Sequence, residues 1–311
     1  MTAFQLTDAA SVDTSGWPAL AAPAWGLAVA EAFGGTFVLV EADDARSRWL
    51  IPILRGGELA RNGFVCGHLG CGGVFDARSG VAAPIRVQVS TLISLAAWLG
   101  STCDRLVTPV LPEHAPVGER WKAYLCPSTV LELGGKDLWS TYSGSVRTAL
   151  RRAWRQDGMR TGLLTSADAE ACIELLHATQ ARLGAAYRTP PALLKSMLDL
   201  ASRGWALCVG AWLDECLVSV GFYVRNGRQA AYVFNGWSDG HRDVSPNYPQ
   251  LDTALHLLRM ARVDRVDLGF SHGDGLASSK LRWGGEVRSF LRIPGSALSN
   301  PTTKYAESIA G

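Results

Sequence analysis

Two stretches of this chain repeat one pattern, and together they restrict the possible folds more than any other feature. GTFVLVEADDARSRWLIPILRGG (Gly35 to Gly57) reads strand, acidic turn, strand, glycine; GWALCVGAWLDECLVSVGFYVRNG (Gly204 to Gly227) reads the same way. Each has apolar arms of strand length, with Asp43 and Asp44 at one turn and Asp214 and Glu215 at the other. Downstream of each, a helix-like segment leads to a short strand, ending in Asp104, Arg105, Leu106, Val107 in the first and Asp264, Arg265, Val266, Asp267 in the second. The copies lie roughly 160 to 170 residues apart, too far for a solenoid repeat and suited to a duplicated domain.

The expected architecture is therefore two mixed α/β units, residues 1–140 and 141–311, each with a helix, an antiparallel hairpin, a further strand, a helix and a strand. Leu131 to Ser143, with its Gly-Gly and polar residues, is the expected crossing linker. The leading helix of the second unit is expected from about Ala167, with Ile173, Leu176 and Leu183 as its buried stripe.

The formal net charge of +2 gives no global field to draw the chain to nucleic acid or membrane, so any anion site must be local and no DNA partner is expected. Seven scattered cysteines, an odd number, argue for reduced thiols instead of a disulfide framework. The N-terminus shows no signal-peptide pattern and no run approaches the roughly 18 apolar residues of a membrane span, so a cytoplasmic location is expected.

SVRTALRRAWRQDGMR predicts a basic helix from about Val146 to Asp157, with Ser145 as N-cap and Gly158 just past its end. Val146, Leu150 and Trp154 form an apolar stripe. Arg147, Arg151 and Arg155 share an adjacent row, with Arg152 beside them. Like charges at i,i+4 destabilise a helix, so the row needs either carboxylates from elsewhere or an anionic ligand; guanidinium forks suit a phosphate-rich carrier.

Near the C-terminus, DRVDLGFSHGDGLASSKLRWGGE (Asp264 to Glu286) reads as a short strand opening into a Gly/Ser loop that delivers Lys280 and Arg282 to a Trp-Gly-Gly turn. A lone lysine past a strand and glycines suits a cation held over developing negative charge. Gly269 to Gly273 matches the nucleophile elbow G-x-S-x-G, but that fold needs an acid and then a histidine later in the chain, and the only later histidine is the neighbouring His272. Cys66, His68 and Cys71 lack a second ligand pair for zinc, so no metal is expected there. Gly273, Asp274 and Gly275 lie too late in the chain for a dinucleotide fingerprint.

The Arg-rich helix, the second hairpin, the helix and strand ending in VDLGFS, and the terminal SSKLRWGGE occur in an order that resembles the Fem-type aminoacyltransferases and the related BioF2-like acetyltransferase domain, within the GNAT superfamily. The resemblance covers Ala149 to Glu286 well and Gly16 to Pro109 more loosely. It implies an α/β (α+β) fold of two tandem GNAT-like domains, and an enzyme that transfers an acyl or aminoacyl group to an amine. The ordinary GNAT pyrophosphate motif [RQ]-x-x-G-x-[GA] is absent; SDGHRDVSPNYP (Ser238 to Pro249) stands in its place and leads into a helix whose N-terminus can still bind phosphate. That absence favours aminoacyl-tRNA over acyl-CoA as donor co-substrate, with no resident cofactor.

The same resemblance makes Lys280 the expected stabiliser of the oxyanion, the alternative being a surface lysine paired with Glu286. Asp267 is expected either to orient the amine or accept its proton, or to be a structural carboxylate. Tyr248 is a relay or, preferably, an anchor. Arg147, Arg151, Arg152, Arg155 and Arg282 are expected on the donor. Asn235 and Trp237 are expected to line the acyl pocket, Tyr187 and Arg188 to cover it, and Ser271 and His272 to touch substrate. Trp237 and Trp283 are the two tryptophans expected as substrate platforms. The Gly70 to Gly73 loop is expected to shape the acceptor pocket in the first unit. The acceptor is expected to be a small-molecule or precursor amine, and a catalytically inactive binding module is the alternative class.

Overall fold

The computed structural model describes residues 2–43, 47–67, 69–135, 137–186, 188–271 and 273–299. Asp44, His68, Tyr187 and His272, named above, lie outside the described residues. In chain order the first part comprises β1 (Ala3–Thr7), α1 (Pro23–Ala32), β2 (Thr36–Asp43), β3 (Arg48–Gly56), β4 (Ala60–Cys66), β5 (Phe75–Asp76), α2 (Ile85–Leu99), β6 (Thr102–Val107), α3 (Glu119–Lys122) and β7 (Leu125–Glu132). The second comprises α4 (Leu138–Thr141), α5 (Gly144–Trp154), β8 (Met159–Leu163), α6 (Ala169–Arg182), α7 (Pro191–Ser202), β9 (Ala206–Leu213), β10 (Cys216–Asn226), β11 (Gln229–Trp237), α8 (Asn247–Met260), β12 (Arg265–Phe270), α9 (Asp274–Leu281), β13 (Glu286–Pro294) and α10 (Gly295–Ser299).

Both hairpins form, β2 with β3 and β9 with β10, and each is antiparallel. Among the described residues all strands join one sheet in the order β1-β2-β3-β4-β6-β13-β7-β12-β11-β10-β9-β8, with β5 pairing β3. The C-terminal strand β13 is inserted at the centre, antiparallel to β6 on one side and to β7 on the other. Strand β7 in turn pairs with β12, so strands from both ends of the chain alternate through the middle of the sheet.

One face carries a core shared by α1, α6 and α7: Trp25, Val29, Leu54 and Val65 join Leu193, Met197, Phe222 and Ala231 in a single cluster. Because α1 packs directly on α7, this face is covered at both of its ends. The other face is covered by α5 and α8 in the second half and by α2 in the first. Burial of these Leu, Val, Phe and Trp side chains is the dominant stabilising term.

Several expectations are revised. The basic helix runs Gly144–Trp154 and its N-cap is Ser143, whose hydroxyl accepts from the Val146 amide. Ile173 and Leu176 are buried as expected, but Leu183 is 72% exposed because α6 ends at Arg182 and the stripe stops with it. Leu131 and Glu132 are strand residues, and Leu138–Thr141 is a short helix, so the expected linker is largely ordered structure. The segment before Lys280 is helical (α9) instead of an open loop.

Candidate active site

Strands β11 and β12 are parallel and pair only from Gln229 with Arg265 to Ala231 with Asp267. Beyond that point β11 continues to Trp237 along β10 and β12 to Phe270 along β7 without pairing to each other, so the sheet opens into a cleft. An opening at the carboxyl ends of parallel strands exposes unpaired backbone and is a usual place for ligands. Gly269 stands there at φ +78°, a left-handed conformation costly for other residues, and a Cβ on it would meet the Tyr232 carbonyl oxygen at 3.4 Å.

Lys280 projects from the last turn of α9 back to this opening. Its Nζ donates to the carbonyl oxygens of Gly269 (2.8 Å) and Phe270 (2.9 Å). Glu286 does not pair with it; that carboxylate takes Arg288 instead, at 2.8 Å. Burial lowers the Lys280 pKa to about 8, and the Asp267 carboxylate works against that fall. An ammonium has three donors, so the two carbonyl bonds leave one N–H for a substrate oxygen.

Asp267 lies on β12 and faces the side of the sheet that bears α1, α6 and α7. Its Oδ1 accepts from Ser128 Oγ at 2.5 Å and from the Gly269 amide at 2.8 Å. Burial raises its pKa, while Ser128, Gly269, Lys280 and Arg265 each pull it down. Both hydrogen bonds fall on Oδ1, which leaves Oδ2 for an incoming donor. Ser271, just past the strand, is 4% exposed and its Oγ has no hydrogen-bond partner among the described residues, a hydroxyl available to a ligand.

The first part of the chain closes over this point. The turn from Gly67 to Gly73 folds back so tightly that a Cβ on Gly67 would sit 2.3 Å from the Gly72 amide nitrogen, and one on Gly72 would sit 2.5 Å from Gly67 N. The Gly72 amide donates to the Val107 carbonyl at 2.7 Å, which pins the loop to the end of β6. Cys71 on this loop is near enough to Asp267 for the carboxylate to act on it; burial first, and that charge second, push its thiol up to about 12. It is therefore a neutral thiol at physiological pH and no nucleophile. Among the described residues no group of three or more His, Cys, Asp or Glu is placed to hold a metal ion.

The other proposed residues fall in distinct places. Tyr248 is in the first turn of α8, its ring 5.5 Å from that of Trp283, so it sits as an anchor. Trp283 is 4% exposed and packs edge-on to Tyr142 at 5.0 Å; it is core and not a substrate platform, because the turn after α9 folds inward. Trp237 is half-buried under the Arg182 guanidinium, 4.1 Å from its ring centroid, with its backbone tied to Thr179 Oγ1. Asn235 is exposed on the end of β11 that has parted from β12, opposite Gly221 of β10, and Arg188 is exposed in the segment between α6 and α7. Arg282 is exposed, its carbonyl accepting from the Ser143 amide.

In the basic helix the row divides. Arg147 Nη1 donates to the carbonyls of Tyr142 (2.5 Å) and Trp139 (3.4 Å), so that side chain caps the preceding turn. Arg151 lies over the Trp139 ring at 5.3 Å. Arg152 and Arg155 are exposed. The helix packs on α8, β8 and the 3-10 turn Asp239–Val244 that follows β11, which places it beside the segment that replaces the pyrophosphate motif.

Ser128 does not stand out in the sequence, and Cys71 does so only as a zinc candidate, not as a neighbour of Asp267. Neither contact has a local signal: Ser128 reaches Asp267 across a strand pairing 139 residues apart.

Residues 141–274 match the Acetyltransferase (GNAT) domain family. No curated protein sequence matches the chain. Among solved structures, FemX superposes with a TM-score of 0.68 at 12% identity, covering 93% of this chain and 96% of that one. A tandem GNAT protein from the clavulanic acid biosynthesis pathway gives 0.54 at 12% identity, covering 95% and 99%. L-PGS from Bacillus licheniformis gives 0.51 at 11% identity, covering 93% and 95%. Residues 141–274 thus match a GNAT-type domain, and the whole chain shares its fold with FemX and with the tandem GNAT protein.

Proposed function

We propose that this protein is an acyltransferase that forms an amide bond, moving an aminoacyl group from aminoacyl-tRNA to the amine of a small-molecule or precursor acceptor. The observation that carries this reading is Lys280, held by the Gly269 and Phe270 carbonyls at the mouth of the β11–β12 opening beside Asp267. The GNAT-type match and the Fem-type fold support it.

In this reading Asp267 Oδ2 accepts a proton from the acceptor ammonium or amine, and the freed nitrogen attacks the donor carbonyl carbon. The carbonyl oxygen gains negative charge, and the third N–H of Lys280 stabilises it. The new C–N bond forms as the ester C–O bond breaks, and the proton passes to the leaving oxygen. Positioning of the two substrates between the halves supplies the entropic part of the catalysis. Residues 1–140 shape the acceptor side through the Gly70 to Gly73 loop; residues 141–311 hold the donor, with Arg151, Arg152, Arg155 and Arg282 available to its phosphates.

A second reading, acyl-CoA as donor, is favoured by the match of residues 141–274 to an acetyltransferase-type domain. One assay separates the two. Purified protein is incubated with charged tRNA pools or with acyl-CoAs, plus candidate amines, and amides are detected by mass. Product with charged tRNA alone supports the first reading, and product with acyl-CoA alone replaces it. Partner binding with no amide from any donor would point to an inactive module.

A further inference from the structure

At the end of β11 that stays paired with β12, the surface has a groove which the transfer step leaves unused. Its volume is about 260 Å³, and it is lined by Arg203, Gly204, Trp205, Arg225, Asn226 and Gly227. These residues come from the turn between α7 and β9 and from the end of β10 with the turn that follows it. The Arg225 amide donates to the Trp205 carbonyl at 2.8 Å, one step beyond the Val224–Ala206 pair of the β9–β10 ladder. Tyr223 and Leu207, opposite each other in that ladder, both pack in the cluster under α5 and α8. Alternation therefore puts Arg225 and Trp205 on that same face, opposite to the one that bears Asp267.

Three arginines stand at this end of the sheet, and their partners differ. Arg203 is paired with Asp199, and Arg228 with Asp264. Arg225 is half-buried, yet among the described residues no carboxylate lies within ion-pair distance of it. Its Nε is buried and has no hydrogen-bond partner among the described residues. A guanidinium left this way is costly, and a carboxylate or phosphate in the groove would supply both the missing acceptor and the counter-charge. Beside it Trp205 is 40% exposed, a large ring that the fold leaves uncovered. Asn226 makes the groove firm: it is buried, and its Nδ2 donates to the carbonyls of Thr14 (2.6 Å) and Trp17 (2.9 Å).

We propose that this groove binds a small planar organic anion, with its ring against Trp205 and its carboxylate or phosphate on Arg225. The volume lies near the low end for ligand cavities, roughly 300 Å³, which restricts the ligand to about one ring and its acidic group. The indole favours a flat aromatic ring over a puckered aliphatic one. The sheet itself stands between the groove and Asp267, so this site does not depend on the acyl-transfer reading.

The test titrates matched probes calorimetrically into the full chain. Benzoate against benzamide and phenyl phosphate against phenol read the charge; benzoate against cyclohexanecarboxylate and phenyl phosphate against cyclohexyl phosphate read the ring. In the wild type the charged member of at least one pair binds about tenfold tighter or better, and the aromatic form of that anion binds about threefold tighter than the aliphatic one. In Arg225→Gln the charge advantage shrinks to less than about threefold, and in Arg225→Lys it is intermediate. Trp205→Ala, at an exposed position, removes the ring advantage and keeps the test open should Arg225→Gln fail to fold. Arg228→Gln, and Lys280→Met at the β11–β12 opening, leave both advantages unchanged. The pair that shows the charge preference tells carboxylate from phosphate. No binding of either charged probe, no charge preference, a charge preference that survives Arg225→Gln, a ring preference that survives Trp205→Ala, or loss of binding in Lys280→Met overturns the proposal.

Discussion

Ser128 donates to Oδ1 of Asp267 at 2.5 Å, joining a strand from the first part of the chain to one near its end. That bond is one of the forces that hold the Asp267 pKa down against burial. It makes the proton affinity of the proposed base depend on how two distant segments pair.

Removing it gives the first prediction. Ser128→Ala leaves Oδ1 with only the Gly269 amide, so the Asp267 pKa rises further. The acid limb of the kcat/KM profile, which reports the free enzyme, is expected to move to higher pH, with a loss of about tenfold near pH 6 and a smaller one near pH 8. A limb that stays in place would separate Asp267 from proton transfer.

Lys280 supplies the second. Its folded pKa, about 8, lies below the ordinary lysine value of 10.5, so the folded state loses the proton first as pH rises. The oxyanion donor is then lost, and kcat is expected to fall as pH rises through about 8. Lys280→Arg stays charged and should move that alkaline limb up. Lys280→Met is expected to cost about a hundredfold or more in kcat. In stability the sign is opposite: burying the charged form is unfavourable below pH 8, and the penalty is relieved between about 8 and 10.5 as the folded protein sheds the proton. Urea midpoints of wild type and Lys280→Met across that range measure it.

The basic helix gives the third. Arg147 spends its guanidinium on the Tyr142 and Trp139 carbonyls. Arg147→Ala is expected to lower stability by about 1–2 kcal/mol and leave the salt dependence of tRNA binding unchanged. Arg152→Ala and Arg155→Ala, at exposed positions, should leave stability within about 0.5 kcal/mol and each reduce the log–log salt slope by about one. Filter binding between 50 and 200 mM salt reads both; unaltered slopes would make the row ordinary surface.

Trp283 provides the fourth. Its indole packs on Tyr142 and Tyr248 and is almost wholly buried. Trp283→Ala is expected to cost about 3–5 kcal/mol in chemical denaturation. Because the same turn carries Lys280, activity should fall even where the variant stays folded.

The parts of this fold that were legible are those whose information is local. The hairpins announce themselves through period-two apolar arms and acidic turns, and α8 and β12 through an amphipathic run followed by VDL. Helix α9 was not, because DGLASSKL has no apolar stripe and Gly and Ser composition reads as loop; it forms where its last turn is tied to the Gly269 and Phe270 carbonyls. Trp283 misled for a related reason: its Gly-Gly neighbours suggest exposure, whereas they let the chain fold the ring inward against Tyr142. Lys280 and Asp267 stood out in the sequence, but Ser128 and Cys71 reach them only through long-range pairing, to which no spacing rule gives access.

The place of β13 between β6 and β7 has a consequence for biosynthesis. Neither half can finish its hydrogen-bonded ladder until residues 286–294 have left the ribosome, so a nascent chain stalled before them exposes two raw strand edges to any neighbour. Loss of that last strand should be far more harmful to solubility than its length suggests.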